Sequence, residues 1–153
     1  MSVAMNDADM IYAEDLTPGQ QFLFGSWTVT EDEIIAYGTA WDPQPIHVDR
    51  EAAAAGPFGG VIASGLHTLG IYQRLLWEAM GGRLASKAGR ELRFRLLRPV
   101  RPGTTLTGAA EMRTITPRPE RGDAVLHWTA WLVDAEQRVF EIDGEAIIFL
   151  RPS

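Results

Sequence analysis

One segment of the sequence decides most of what the chain can become. Between residues 62 and 80, Leu66, Leu69, Tyr72, Leu76 and Met80 recur at three- and four-residue steps, the spacing of one helical face. At the helical rise that stretch spans roughly 28 Å. Ile71, Leu75 and Trp77 lie off the stripe, so the pattern predicts a helix buried on more than one side. Gly81-Gly82 ends it. Such a helix needs a cover, and the rest of the chain must supply one.

The cover is written downstream. In Glu91-Leu92-Arg93-Phe94-Arg95-Leu96 every second residue is apolar. Residues 104–116 are rich in Thr and small residues, and Pro117, Pro119 and Gly122 mark a turn at 117–123. Residues 124–134 and 138–149 read as two long strands with a tight connection at Ala135-Glu136-Gln137. In the last strand Glu141, Asp143 and Glu145 alternate with Ile142, Gly144 and Ala146, the period of a sheet with one wet face. Upstream, Asp15-Leu16-Thr17-Pro18-Gly19 is a turn, and residues 20–29, with Phe22, Phe24, Trp27 and Val29, predict a strand. Thr30-Glu31-Asp32-Glu33 predicts a helix start running to about Thr39. There Thr30 caps the third helical N–H, Glu33 reaches back to close a capping box, and Val29 and Ile34 form a staple.

A sheet apolar on one face must bury it, and the suitable partner is helix 62–80. The fold expected is therefore α+β: a curved antiparallel sheet wrapped around one long central helix, the hotdog fold. Residues 15–153 form that single domain, and residues 1–14 are expected to be loosely ordered. A sheet of this kind leaves an exposed edge strand, so a homodimer or higher homo-oligomer is expected.

Charge and composition remove several function classes. Fourteen Lys and Arg against twenty Asp and Glu give a net charge of −6, which argues against a nucleic-acid partner. The chain has no Cys, so disulfides, thiolate metal sites and a cysteine nucleophile are excluded. Met1 to Asp9 is polar and acidic, with neither the basic start nor the apolar stretch of a signal peptide or membrane span. A cytoplasmic protein without a membrane partner is expected.

The chemistry is concentrated in two loops. The first is Trp41-Asp42-Pro43-Gln44-Pro45-Ile46-His47-Val48. Its two prolines exclude regular helix over residues 41–48, and Asp49 is expected to cap a short Ala-rich turn stopped by Gly56. Fully extended, the α-carbons of Asp42 and His47 would lie roughly 16 Å apart. A proline-fixed bend lets both side chains reach one water, which makes a plausible acid–base site. Against this, Asp before Pro is a common turn element, and a loop His is often merely solvated.

The second loop is Phe58-Gly59-Gly60-Val61-Ile62-Ala63-Ser64-Gly65, leading into the long helix. The N–H of Gly65 is unpaired by position and sits at the positive end of the helix dipole, so it can receive an oxygen that becomes negative during a reaction. Ser64 either caps the helix or donates to the same site, and the alternative for the glycine is that it serves packing alone. His47-Val48-Asp49 with Asp42 supplies too few ligands for a metal site. His67 either lines a pocket or is a buried hydrogen-bonded histidine, and His127 beside Trp128 is structural. Tyr37 and Trp41 either shape the pocket or pack the first helix.

Taken together, Asp42-Pro43-Gln44-Pro45-Ile46-His47 and the Phe58–Gly65 segment resemble the MaoC-like dehydratase family, which includes the (R)-specific enoyl-CoA hydratases. Phe94 through Gly103 resembles the strand and turn that follow there, and the likeness extends over residues 15–151. The resemblance implies a hydro-lyase that adds water to a trans-2-enoyl thioester. Asp42 and His47 would be its catalytic pair and the Gly65 N–H its oxyanion donor, with Ser64 beside it. Gln44, Phe58, His67 and Gln73 are candidate pocket residues. No metal or cofactor is implied beyond the coenzyme A or acyl carrier protein that carries the acyl group. Arg93, Arg95, Arg98 and Arg101 either meet the phosphates of coenzyme A or form a solvated face.

Three positions depart from the family pattern. Many enoyl-CoA hydratases have Asn where Gln44 stands and His or another polar residue where Ser64 stands. A small hydroxyl residue supporting the Asp is expected about where Gln73 stands. Two other functions fit the same fold: an acyl-CoA thioesterase, or a non-catalytic module that binds acyl thioesters. Against the first, Leu66 to Leu76 holds no Asp or Glu.

Overall fold

A computed structural model describes residues 7–153. The first predicted strand is broken in two, β1 (Gln21–Leu23) and β2 (Trp27–Thr28). Helix α1 (Glu31–Trp41) follows, and Thr30 caps it by accepting from the Glu33 N–H at 3.1 Å. The expected return bond of the capping box gives way to another. Glu33 accepts instead from the indole Nε1 of Trp27 at 2.9 Å. A part-buried indole has more to lose from lacking an acceptor than the exposed backbone of Thr30, which water can satisfy.

The proline loop is more helical than expected. Pro45–Val48 forms a single turn, α2. Proline at the first position of a helix sacrifices no hydrogen bond and arrives with a helical φ, so Pro45 starts a turn where it would have broken a continuing one. Asp49 then caps α3 (Arg50–Ala55), accepting from the Ala52 N–H at 3.0 Å.

The central helix α4 (Gly65–Ala79) starts three residues later than its apolar pattern begins. Ile62 and Ala63 are held as extended chain, their N–H groups donating to the carbonyls of Ile46 at 3.2 Å and Val100 at 2.9 Å. Four strands complete the chain: β3 (Ser86–Leu96), β4 (Thr105–Arg118), β5 (Asp123–Asp134) and β6 (Gln137–Phe149). All pair antiparallel in the order β1-β4-β5-β6-β3, with β2 also on β4. The turn expected at 117–123 is shorter: Pro117 still pairs with Ala124, and Pro119–Arg121 makes the turn itself.

The expected α+β architecture is present. Leu126, Ala130 and Leu132 of β5 and Phe140, Ile142 and Ile148 of β6 bury one face of the sheet against Ile71, Tyr72, Leu75 and Leu76 of α4. Trp128 fastens the two layers, donating its indole N–H to the Tyr72 hydroxyl at 2.6 Å. Asp123, 1 % exposed, lies between Lys87 Nζ at 2.7 Å and Arg118 Nε at 2.8 Å. Those two cations hold its carboxyl below the usual carboxylate range.

Part of the segment expected to be loose is instead tied in. Residues 1–6 lie outside the described residues, but the Ile11 N–H donates to Arg83 O at 2.7 Å, and Tyr12 and Ala13 are buried. The apolar side chains Ile11, Tyr12 and Leu16 supply the reason. At the opposite extreme, edge strand β3 is exposed along nearly its whole length. Among the described residues no helix is long and apolar enough to cross a membrane.

Candidate active site

Asp42 ends α1, its N–H bonded to Gly38 O at 2.8 Å. Both of its carboxylate oxygens have donors. Gln44 Nε2 donates to Oδ1 at 2.8 Å, and the Ser64 hydroxyl donates to Oδ2 at 2.6 Å. The Ser64 bond first, then that of Gln44, holds the Asp42 carboxyl below its ordinary range, and His47 adds to the effect when it is protonated.

His47 is buried, with Nδ1 2.7 Å from the carbonyl of Ile62. A carbonyl only accepts, so Nδ1 carries a hydrogen, and in the neutral ring Nε2 presents a lone pair. That Nε2 lies 3.4 Å from Asp42 Oδ2. The bend at Pro43 and Pro45 thus brings the acid and the imidazole together. Two acceptors so placed suit one water that gives a hydrogen to each. Gly38 makes the approach possible, because a Cβ there would lie 2.8 Å from Val48 Cγ1 and 3.0 Å from His47 Cβ.

Ser64 caps the helix as one expectation had it, but its hydroxyl hydrogen goes to Asp42 rather than to the Gly65 site. Its Oγ accepts from the Leu66 N–H at 3.3 Å while donating to Asp42. It therefore joins the start of α4 directly to the Asp42 and His47 pair. Gly65 is the first residue of α4, where an N–H has no intrahelical acceptor. Beside it runs a groove of ≈ 260 Å³ whose wall includes Phe58, Thr68, Leu96, Leu97 and Arg98. A Cβ on Gly65 would lie 2.3 Å from Leu96 Cδ1, so a side chain here would displace the Leu96 side chain.

The remaining candidates separate. Gln44 binds Asp42. Gln73 does not support Asp42; it lines a second, mainly apolar cavity of ≈ 220 Å³ with Leu76, Trp77, Met80, Met112 and Trp128. The hydroxyl expected near Gln73 comes from Ser64 instead, because a helix cap already lies within reach of the end of α1. His67 is buried but not hydrogen-bonded as expected, and Nδ1 has no partner among the described residues. Its ring stacks on Tyr37 at 4.8 Å, with Nε2 3.8 Å from Glu33 Oε1. Burial pushes its pKa down and Glu33 partly opposes this. Trp41 is 74 % exposed, so it does not pack the helix that carries it.

The basic cluster divides as well. Arg93 and Arg95 pair with Glu91 and Glu141 on the outer face of the sheet, Arg101 donates to the Phe58 carbonyl, and Arg98 lines the Gly65 groove. Two contributions escaped the sequence reading. The Ile62 carbonyl that sets the His47 tautomer has no side-chain signal. Gly38, four residues before Asp42, was a visible but unread mark of close helix–loop approach.

Comparison with known proteins gives a consistent picture. Residues 14–130 match the model of the MaoC like domain. A 3-hydroxybutyryl-CoA dehydratase of Methylorubrum extorquens is 31% identical over 139 residues, covering 91% of this chain and 83% of the relative. An uncharacterized protein of Bacillus subtilis is 30% identical over 139 residues, covering 90% and 97%. A crystal structure of a MaoC-like dehydratase from Rhodospirillum rubrum superposes with a TM-score of 0.84 at 32% identity, covering 94% of this chain and 99% of that one.

Proposed function

The chain belongs to the MaoC-like domain family, and on that footing we propose that it is a hydro-lyase adding water to a trans-2-enoyl thioester. The observation that carries the reading is the Asp42–His47 approach at 3.4 Å, tied by the Ser64 hydroxyl to the start of α4. The relatives that share this family and bear dehydratase names support it.

The roles follow from the hydrogen bonds. With both oxygens already accepting, Asp42 is a weak base but a fixed negative charge. His47, its Nδ1–H committed to Ile62, offers Nε2 as the proton acceptor. As Nε2 takes a proton from water, the water oxygen bonds to the β-carbon. The double-bond electrons move onto the thioester oxygen, which the Gly65 N–H stabilises at the helix terminus. The enolate then collapses, and the proton passes from His47 to the α-carbon. Asp42 holds the water's second hydrogen and stabilises the transient imidazolium. The reverse sequence dehydrates a 3-hydroxyacyl thioester.

The cavity by Gln73 and Trp77 would take the acyl tail, and Arg98 at the Gly65 groove would meet the phosphate-bearing carrier. The exposed ladder of β3, with Leu92 and Leu96 on it, would pair with a second copy to give a homodimer. Crotonyl-CoA and longer enoyl-CoAs test the activity through loss of the absorbance of the conjugated thioester. Wild-type turnover abolished by Asp42→Asn supports the assignment. Equal inertness of both proteins across the panel rejects it, and thiol release from saturated acyl-CoAs would point to a thioesterase.

A further inference from the structure

Helix α1 serves three parts of the site at once. Its end presents Asp42, the bare flank at Gly38 admits His47, and Tyr37 and Glu33 face the first turn of α4. The link that makes these parts one site is the Ser64–Asp42 hydrogen bond, whose residues are 22 apart in sequence. A connection through two short helices and a glycine-rich loop does not fix their separation closely. A hydrogen bond of 2.6 Å loses its strength with a small displacement. The Ile46 and His47 bonds to Ile62 tie the two loops together, and a contact between the helices themselves would fix the end of α1 against the start of α4.

We infer that His67 is that positioning residue: clasped from α1 by Tyr37 and Glu33, it sets the spacing at which Ser64 reaches Asp42. His67 lies one turn into α4 from Ser64, and Tyr37 lies just over one turn before Asp42. Their rings are 4.8 Å apart and within 7° of parallel, a flat contact that constrains the distance between the helices. Glu33, 3.8 Å from Nε2, grips the same ring and is itself held by Trp27. Arg74, further along α4, covers Trp27 at 4.9 Å and closes the clasp from the other side.

Nδ1 has no partner among the described residues, so that nitrogen takes no part in the clasp. The flat ring is what the clasp uses. This role rests on the hydratase reading for its catalytic meaning but not for its geometry, so the test has two readouts.

The first is the titration of the Asp42 carboxyl followed by carbon-13 NMR, and the second is kcat and KM on crotonyl-CoA. In His67→Ala the Asp42 titration should move up toward the ordinary carboxylate range as the Ser64 bond loosens. Its kcat should fall about ten-fold or more with KM little changed, as misplacement predicts. His67→Phe, which keeps the flat ring against Tyr37 though not the Glu33 contact, should restore most of both. A folded His67→Ala protein with the Asp42 titration of wild type overturns the inference. If that variant does not fold, Tyr37→Ala against Tyr37→Phe applies the same test from α1, and an unmoved Asp42 titration again overturns it. A shifted titration in a protein inert on every enoyl thioester would reject the hydratase reading and leave the positioning role standing.

Discussion

At the first turn of α4, Ser64 and Gly65 sit among contacts that fix single atoms: a hydrogen bond of 2.6 Å to Asp42, and an approach of 3.4 Å from Asp42 to His47. Two to four turns further, Gln73, Leu76, Trp77 and Met80 line an apolar cavity of ≈ 220 Å³ in which volume rather than direction is fixed. One helix thus carries a polar end, where displacement of an atom matters, and an apolar end, where gain or loss of space matters. Substitutions at the two ends should therefore fail differently, the first in turnover and the second in choice of acyl chain.

The contrast is easiest to break at the polar end. Asp42→Asn and His47→Gln should each lower kcat/KM for an enoyl thioester by about 10²–10⁴-fold, the usual worth of a positioned acid or base. Steady-state kinetics read this, and a loss of less than about ten-fold would remove the pair from the chemistry. At the other end, Trp77→Ala should raise the ratio of kcat/KM for octenoyl-CoA over crotonyl-CoA by about ten-fold, since a few methylenes of added space are worth that much. An unchanged ratio would detach the cavity from the acyl chain.

Ser64→Ala sharpens the comparison. It removes the largest influence lowering the Asp42 pKa, so the Asp42 carboxyl should titrate at higher pH, followed by carbon-13 NMR. It should also cost about 1 kcal/mol of stability through the lost cap, read by denaturant unfolding. The smallest effect is expected from His67→Phe. Because burial lowers the folded-state pKa of His67 from 6.5, the unfolded chain takes up its proton first as pH falls below that value. Wild type should lose stability there and the Phe variant should lose less, seen as a flatter fall in melting temperature between about pH 7 and pH 5.

Much of this was legible in the sequence, for identifiable reasons. The stripe of α4 and the alternation of β5 and β6 are periodic signals summed over many residues. The Asp42–His47 spacing was legible because prolines restrict backbone shape in a known way. What escaped were choices between equally local options. Glu33 could bond to Thr30 or to Trp27, and only the tertiary position of β2 decides. Pro45 could break a helix or begin one. The hydroxyl supporting Asp42 could come from anywhere on α4, and Ser64 supplies it because the cap, not the helix body, faces the end of α1.

Asp123 carries a consequence for how the sheet assembles. Its carboxylate is enclosed at the start of β5, and the two cations that answer it arrive on β3 and β4. A one-residue slip of β4 against β5 would turn Arg118 away, and one of β3 against β6 would turn Lys87 away, each leaving the enclosed anion short of a cation. The arrangement works as a proofreading device. Nearly right alignments are penalised too, and the long strands are left with one alignment in which Asp123 keeps both of its cations.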